Sequence, residues 1–225
     1  MQKLTIQVSD DTTVSGILQR PDDPVACYVF AHGAGAGMEH AFMTAVADGL
    51  AERRIATLRY QFPYMERGSK RPDTPPVAHA AVRAAVACAA REFGSLMLLA
   101  GGKSFGARMT SQAQATEPLP RVAGLVFLGF PLHPAGTPST SRADHLSKVR
   151  IPMLFVQGTE DKLAELDRLR PIVAALGTRA TLLTIEHADH SFHVPKRSGR
   201  DDEAVLKEVL DDVMRWTEAL RGASR

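Results

Sequence analysis

The chain predicts an α/β fold: a mostly parallel central sheet of about eight strands with helices on both faces. Three observations carry that expectation. Short, continuous apolar runs recur along the sequence, each the length of a strand buried on both faces. Segments rich in good helix formers at helical spacing lie between or after them. Two segments of alternating polar and apolar residues open the chain and read as an antiparallel hairpin at a sheet edge.

In order, the hairpin comes from Leu4-Thr5-Ile6-Gln7-Val8 and Val14-Ser15-Gly16-Ile17-Leu18, parted by the turn-rich Ser9-Asp10-Asp11-Thr12. After the breaker Pro21-Asp22-Asp23-Pro24, the run Val25 to Ala31 predicts the first buried strand. Inner strands are also expected at Ile55–Tyr60, Leu96–Ala100, Val122–Leu128, Ile151–Val156 and Ala180–Ile185. Helices are expected at Glu39–Arg53, Pro76–Phe93, Ser104–Thr116, Lys162–Leu176 and Glu203–Leu220. The Pro- and Gly-containing stretches Tyr60–Pro75 and Phe130–Thr140 read as loops, not linkers, so residues 1–225 are expected to form one domain.

Composition narrows function mainly by exclusion. At 44% hydrophobic and 23% charged residues, the chain is neither disordered nor fibrous. Its 27 Lys and Arg against 25 Asp and Glu give a formal charge of +2, with the basic residues scattered. No nucleic-acid or membrane-surface footprint results. Cys27 and Cys88 sit in apolar runs and read as small buried hydrophobes, which suits a reducing setting. No apolar stretch is long enough to span a bilayer and Met1–Asp10 lacks a signal-peptide pattern, so a cytoplasmic location is expected.

Parallel sheets of this kind put their chemistry in loops at the carboxyl ends of the strands. The run Leu96–Ala100 leads into Gly102-Lys103-Ser104-Phe105-Gly106, a Gly-x-Ser-x-Gly pattern between strand and helix. A serine on so sharp a turn has a strained backbone, and side chains two positions to either side would collide with it. In return its hydroxyl is exposed at a helix N-terminus. A phosphate-loop reading of Gly102-Lys103-Ser104 requires glycine at position 97, where Met97 stands.

Behind Val25–Ala31 comes His32-Gly33-Ala34-Gly35-Ala36-Gly37, whose small residues allow backbone N–H groups to approach a ligand as an oxyanion hole requires. A dinucleotide fingerprint is excluded by Met38 and by Arg59-Tyr60 at the end of the next strand. After Ile151–Val156, Asp161 is the better candidate to orient an imidazole, with Glu160 as the alternative; Asp161 also suits the N-cap of the helix at Lys162–Leu176. After Ala180–Ile185, three bases are available, His187, His190 and His193, of which His190 is preferred for its place in the loop. Three histidines at this spacing, with no cysteine partner, form a weak ligand set, so neither a metal nor a cofactor is expected. His40, His79, His133 and His145 read as surface or packing residues.

This ordered set, His32-Gly33, Gly102-x-Ser104-x-Gly106, Asp161 and His190, resembles the α/β-hydrolase family from about Thr5 to Leu220. Within it the chain is most similar to small dienelactone-hydrolase-like members, especially a group of predicted bacterial serine hydrolases related to a few eukaryotic chromatin-complex subunits. Gly102–Arg108 and Gly129-Phe130-Pro131-Leu132-His133-Pro134 carry the resemblance. Dienelactone hydrolases proper use cysteine where Ser104 stands.

The resemblance implies Ser104 as nucleophile, His190 as base, Asp161 as its orienting acid, and the backbone N–H groups of Ala34 and Phe105 as oxyanion donors. It implies a small-molecule acyl substrate: an ester, thioester or amide cleaved through an acyl-enzyme. An idle scaffold that binds a partner protein, or an acyltransferase using the same residues, are the alternatives. Gly129 to Val149 holds 21 residues and four of them are Pro131, Pro134, Gly136 and Pro138, so only a minimal lid is expected. Tyr60–Met65 is a candidate aromatic border, and Arg67, Lys70 and Arg71 read as a solvated basic loop before an anion-binding one. The sequence leaves the oligomeric state open.

Overall fold

The alternation of the first twenty residues becomes a hairpin in the computed structural model, which describes residues 1–223. β1 (Gln2–Ser9) and β2 (Thr12–Gln19) pair antiparallel, and β2 turns Val14, Ile17 and Leu18 inward. β2 then joins β4 (Ile55–Tyr60), also antiparallel. The remaining pairs are parallel: β3 (Ala26–Ala31), β5 (Met97–Lys103), β6 (Val122–Leu128), β7 (Met153–Gly158) and β8 (Ala180–Ile185) complete an eight-stranded sheet. Its order is β1-β2-β4-β3-β5-β6-β7-β8. Every residue of β3, β4 and β7 is buried, which explains why those strands read as mainly apolar runs, with Thr57 and Arg59 in β4 and Gln157 in β7 as buried polar exceptions.

One strand departs from its predicted place. β8 pairs only with β7, and five of its six residues are partly or fully exposed, so it is an edge strand and not an inner one. Thr181 and Thr184, three residues apart, point to opposite faces of the strand, so each face carries one polar side chain.

Two apolar layers sandwich the sheet. α1 (Ala41–Glu52) and α6 (Asp202–Ala223) cover one face through Met43, Val46, Leu50, Val205, Val209 and Val213. α3 (Pro75–Phe93), α4 (Phe105–Thr116) and α5 (Leu166–Ala175) cover the other, where Ala81, Val82, Ala85, Phe105, Met109 and Leu169 are buried. A short helix, α2 (Pro63–Glu66), forms inside the segment expected to be loop, started by Pro63 at its first position. Helix α5 begins at Leu166, four residues later than predicted. The carbonyl of Leu163 is taken by the N–H groups of Leu132 and His133, which holds residues 162–165 in a turn. Among the described residues no helix is long and apolar enough to cross a membrane, and Cys27 and Cys88 are free and buried.

Strand register brings the functional loops together. Ala31 is level with Tyr60 on one side and Gly102 on the other, Lys103 with Leu128, and Gly158 with Ile185. The loops after β3, β5, β7 and β8 therefore emerge at one edge of the sheet. The connection from β6 to β7 carries one 3₁₀ segment, Ser141–Lys148, and no helical cap.

Candidate active site

Ser104 sits at the turn from β5 into α4 with φ 51° and ψ −110°, a backbone conformation that L-residues rarely adopt. The flanking glycines have a more specific reason than crowding against the serine. A Cβ at Gly102 would lie 2.4 Å from the Ala31 carbonyl oxygen, and one at Gly106 would lie 2.5 Å from the same atom. Glycines at these positions allow β5 and α4 to press against β3, and that pressure holds the strained serine in place.

The strained turn aims Ser104 Oγ at His190 Nε2, 2.8 Å away. His190 Nδ1 lies 2.6 Å from Asp161 Oδ2. A carboxylate oxygen only accepts, so Nδ1 carries the proton and Nε2 presents its lone pair to the serine hydroxyl. Asp161 is 2% exposed and fully engaged: Oδ1 accepts from the Leu163 N–H at 2.8 Å, and Oδ2 also accepts from the Gln157 side-chain amide. Asp161 does not cap α5, whose N-cap is Glu165. The other candidates lie elsewhere. Glu160 faces His187 and Arg197 on the surface, and exposed His193 pairs with Asp202.

Two supporting residues escaped the sequence reading. Gln157, fully buried at the end of β7, bridges Asp161 to the Phe130 N–H, so one amide ties the acid to the loop after β6. In the sequence Lys103 stands out only as part of a phosphate-loop pattern. Its ammonium donates to the His190 carbonyl and lies 5.9 Å and 5.4 Å from the Phe42 and Phe192 ring centres. Burial pulls the Lys103 ammonium down to about 8, opposed by Asp161 and Asp189.

The loop after β3 is pinned from below. The Gly35 N–H donates to Tyr64 Oη at 2.8 Å, the Ala36 N–H to Gly33 O at 3.2 Å, and the Met38 N–H to Gln61 Oε1 at 2.9 Å. The N–H of exposed residue Ala34 is left out of these bonds, and the first-turn N–H of Phe105 has no intrahelical acceptor. Tyr60, Phe62 and Tyr64, expected to border the site, are instead fully buried beneath it. Tyr64 and Phe62 pack edge-on against Phe105.

His32 locks the same loop. The Phe62 N–H donates to its Nε2 at 3.1 Å, so Nδ1–H donates to Gly33 O at 2.7 Å. Burial drives the His32 imidazole down to about 4. The folded state thus favours the neutral ring, whereas the unfolded chain takes up a proton near pH 6.5. Stability supplied by neutral His32 is fully present above that pH and is lost as pH falls toward 4, by up to about 3 kcal/mol. Urea midpoints between pH 7 and 4 should fall in the native protein and fall less steeply in His32→Gln. Equal slopes would refute the assignment.

A cleft of about 270 Å³ opens above Ser104, bordered by Ala34, Phe42, Met43, Leu163 and His190. A larger hollow of about 730 Å³ between Arg20 and Arg121 lies at the amino ends of the strands, far from this chemistry. The remaining histidines are structural: His40 Nδ1 accepts from the Phe42 N–H at the start of α1, and buried His133 joins Glu165 at 2.6 Å.

Residues 24–218 match the model of the alpha/beta hydrolase domain. The chain belongs to the α/β-hydrolase family. Solved structures similar to this α/β hydrolase include a dienelactone hydrolase from Anabaena variabilis, with 20% identity, a TM-score of 0.77 and 97% of each chain covered. An α/β serine hydrolase without lid from Xanthomonas campestris is also similar, at 20% identity and TM-score 0.71, covering 96% of this chain and 94% of that one. An alpha-beta serine hydrolase homologue from Coxiella burnetii has 18% identity and TM-score 0.74, covering 95% and 96%. At these identities the likeness establishes the fold, and the lidless neighbour agrees with the bare β6–β7 connection of this hydrolase.

Proposed function

We propose that this α/β hydrolase cleaves a small ester, thioester or amide through an acyl-enzyme on Ser104. The observation that carries the reading is the continuous chain from Ser104 Oγ to His190 to buried Asp161, at 2.8 Å and 2.6 Å. A scaffold that only bound a partner would have no use for a serine strained to φ 51° and aimed at an imidazole.

In this reading Ser104 Oγ attacks the acyl carbonyl as its proton passes to His190 Nε2. Negative charge develops on the carbonyl oxygen beside the N–H groups of Ala34 and Phe105, each donor worth about 3–4 kcal/mol of transition-state stabilisation. The imidazolium, held by Asp161, returns its proton to the leaving group. Water then enters the open cleft and attacks the acyl carbon as its proton passes to His190 Nε2; the bond from the acyl carbon to Ser104 Oγ breaks, His190 returns the proton to Oγ, and the acid leaves.

A fluorophosphonate probe tests the nucleophile. Native protein should label stoichiometrically and Ser104→Ala should not. An unlabelled native protein, or equal labelling of the variant, would sink the proposal.

A further inference from the structure

We propose that Lys103 is a positioning residue: its charged ammonium pins the backbone of His190 against the turn that carries Ser104, and turnover falls when that charge is lost. This deepens the hydrolase reading above and rests on it.

His190 sits in a tight turn that leaves its own carbonyl without a backbone donor. The Phe192 N–H closes the turn on the Asp189 carbonyl at 3.0 Å, with His190 and Ser191 between them. Phe192 takes φ 64°, a conformation that a bulky L-residue holds only where its surroundings impose it. Among the described residues, the donor to the His190 carbonyl is the Lys103 ammonium. That ammonium also lies near the rings of Phe42 and Phe192, which stack on each other at 6.0 Å. Gly129, just past β6, leaves the space: a Cβ there would come 2.8 Å from Lys103 Nζ and 3.4 Å from the His190 carbonyl oxygen.

These contacts close a ring. Lys103 is joined covalently to Ser104, its ammonium holds the His190 carbonyl, and His190 Nε2 returns to Ser104 Oγ at 2.8 Å. Asp161 fixes which way the imidazole faces, and Lys103 fixes how far its backbone stands from the nucleophile. An ammonium bonds a carbonyl more strongly than a neutral amine does, and only the charged form is drawn to ring faces. Burial opposes that charge, and among the described residues no carboxylate is close enough to form an ion pair with it. Because the folded state holds the ammonium below its unfolded value of 10.5, at about 8, the charge costs stability in full below pH 8, and the cost fades as pH rises toward 10.5. A lysine needed for packing alone would be better replaced by an apolar chain of similar length. The other titratable groups around it are Asp161 after β7, Asp189 and His190 after β8, and His40, which shares the cleft wall before α1. Carboxylates and imidazoles as classes titrate on the acid side of lysine, whereas Phe42 on α1 and Gly129 after β6 do not titrate.

Turnover of p-nitrophenyl acetate against pH, in the native protein, Lys103→Met and Lys103→Arg, tests the pin. Native kcat should fall about tenfold between about pH 7 and 10, the difference between a charge-assisted hydrogen bond and a neutral one. At about pH 7, Lys103→Met should be slower by about tenfold or more with KM within about threefold of native, and it should show no alkaline fall. It should also melt at or above the native temperature, since a buried charge has been removed. Lys103→Arg stays charged throughout, so it should recover part of the rate and lack the alkaline fall. A Lys103→Met variant with kcat within about threefold of native, or one that keeps the native alkaline fall, overturns the proposal, as does a native profile flat to about pH 10. Melting well below native in Lys103→Met would make the lysine a packing residue instead, and a raised KM at unchanged kcat would make it a substrate contact; either result overturns the pin. If native protein is neither active nor labelled by fluorophosphonate, the hydrolase reading fails. The pin is then read from the ¹⁵N resonances of the His190 ring, which should move between about pH 7 and 10 in native protein and stay fixed in Lys103→Met. Native resonances that do not move, or that move equally in the variant, overturn it.

Discussion

His190→Ala and Asp161→Asn are each expected to cut turnover of an activated ester by about 10⁴-fold. The first removes the only base within reach of Ser104 Oγ among the described residues, since His187 and His193 are held on the surface by Glu160 and Asp202. The second acts through the tautomer. Asp161 accepts from three donors, the Leu163 N–H, the Gln157 amide and His190 Nδ1–H. Asparagine keeps one oxygen and replaces the other with a donating NH₂. With the Leu163 N–H and Gln157 still requiring acceptors, the NH₂ must face at least one of these three donors. If it meets the histidine, the proton moves to Nε2 and the lone pair no longer faces the serine. Rates should therefore recover partly where hydroxide replaces the base, giving a log-linear rise of kcat with pH in both variants. Turnover within tenfold of native in either variant would remove that residue from the proposed mechanism.

The burial of whole strands made most of the fold readable. β3, β4 and β7 bury both faces, so their sequences are mainly apolar runs, broken only by Thr57 and Arg59 in β4 and Gln157 in β7, that stand out against the helices between them. β8 shows where that signal fails, because an apolar run at an edge, interrupted only by threonines, looks the same in one dimension as an inner strand. The start of α5 was hidden for another reason. Residues 162–165 have helical composition, but Leu163 gives its carbonyl to a loop thirty residues earlier in the chain, and no local pattern reports such a bond.

The candidate site divides in the same way. Ser104 announced itself because a strained turn needs glycines, although the contact that demands them is with Ala31, more than seventy residues away in sequence. Asp161 and His190 were found from their places after strands. Gln157 and Lys103 were not, since each works by bonding to a backbone group or side chain brought near only by the fold. A glutamine or lysine at the last residues of an inner strand, where apolar residues are the rule, is the signal that was available. The aromatic residues of Tyr60–Tyr64 misled for the opposite reason. They read as a surface border, yet Tyr64 serves the site from beneath by accepting from Gly35.

Gly101→Ala is expected to be the most destabilising single methyl in the chain, at roughly 4 kcal/mol or more. Gly101 has φ +152° in the middle of β5, level with Phe30 on β3 and Val126 on β6. An added Cβ would sit 1.8 Å from the Val126 carbonyl oxygen and 2.8 Å from its carbon. No rotamer relieves a contact between a Cβ and backbone, so β5 and β6 would have to part by more than an ångström. Both are central strands with partners on their far sides, and the separation would break ladder hydrogen bonds in the dry interior. For a chain of this size the loss corresponds to a fall in melting temperature of about 8–16 °C, or to insoluble protein. Gly222→Ala, in α6 with nothing within 4 Å of its Cβ, is the control and should be neutral or stabilising by up to about 1 kcal/mol. Because Ser104 lies three residues beyond Gly101 on the same strand and turn, any folded Gly101→Ala fraction should label more slowly with fluorophosphonate. A variant that melts within about 2 °C of native and labels at the native rate would mean that β5 and β6 do not meet as closely as this contact requires.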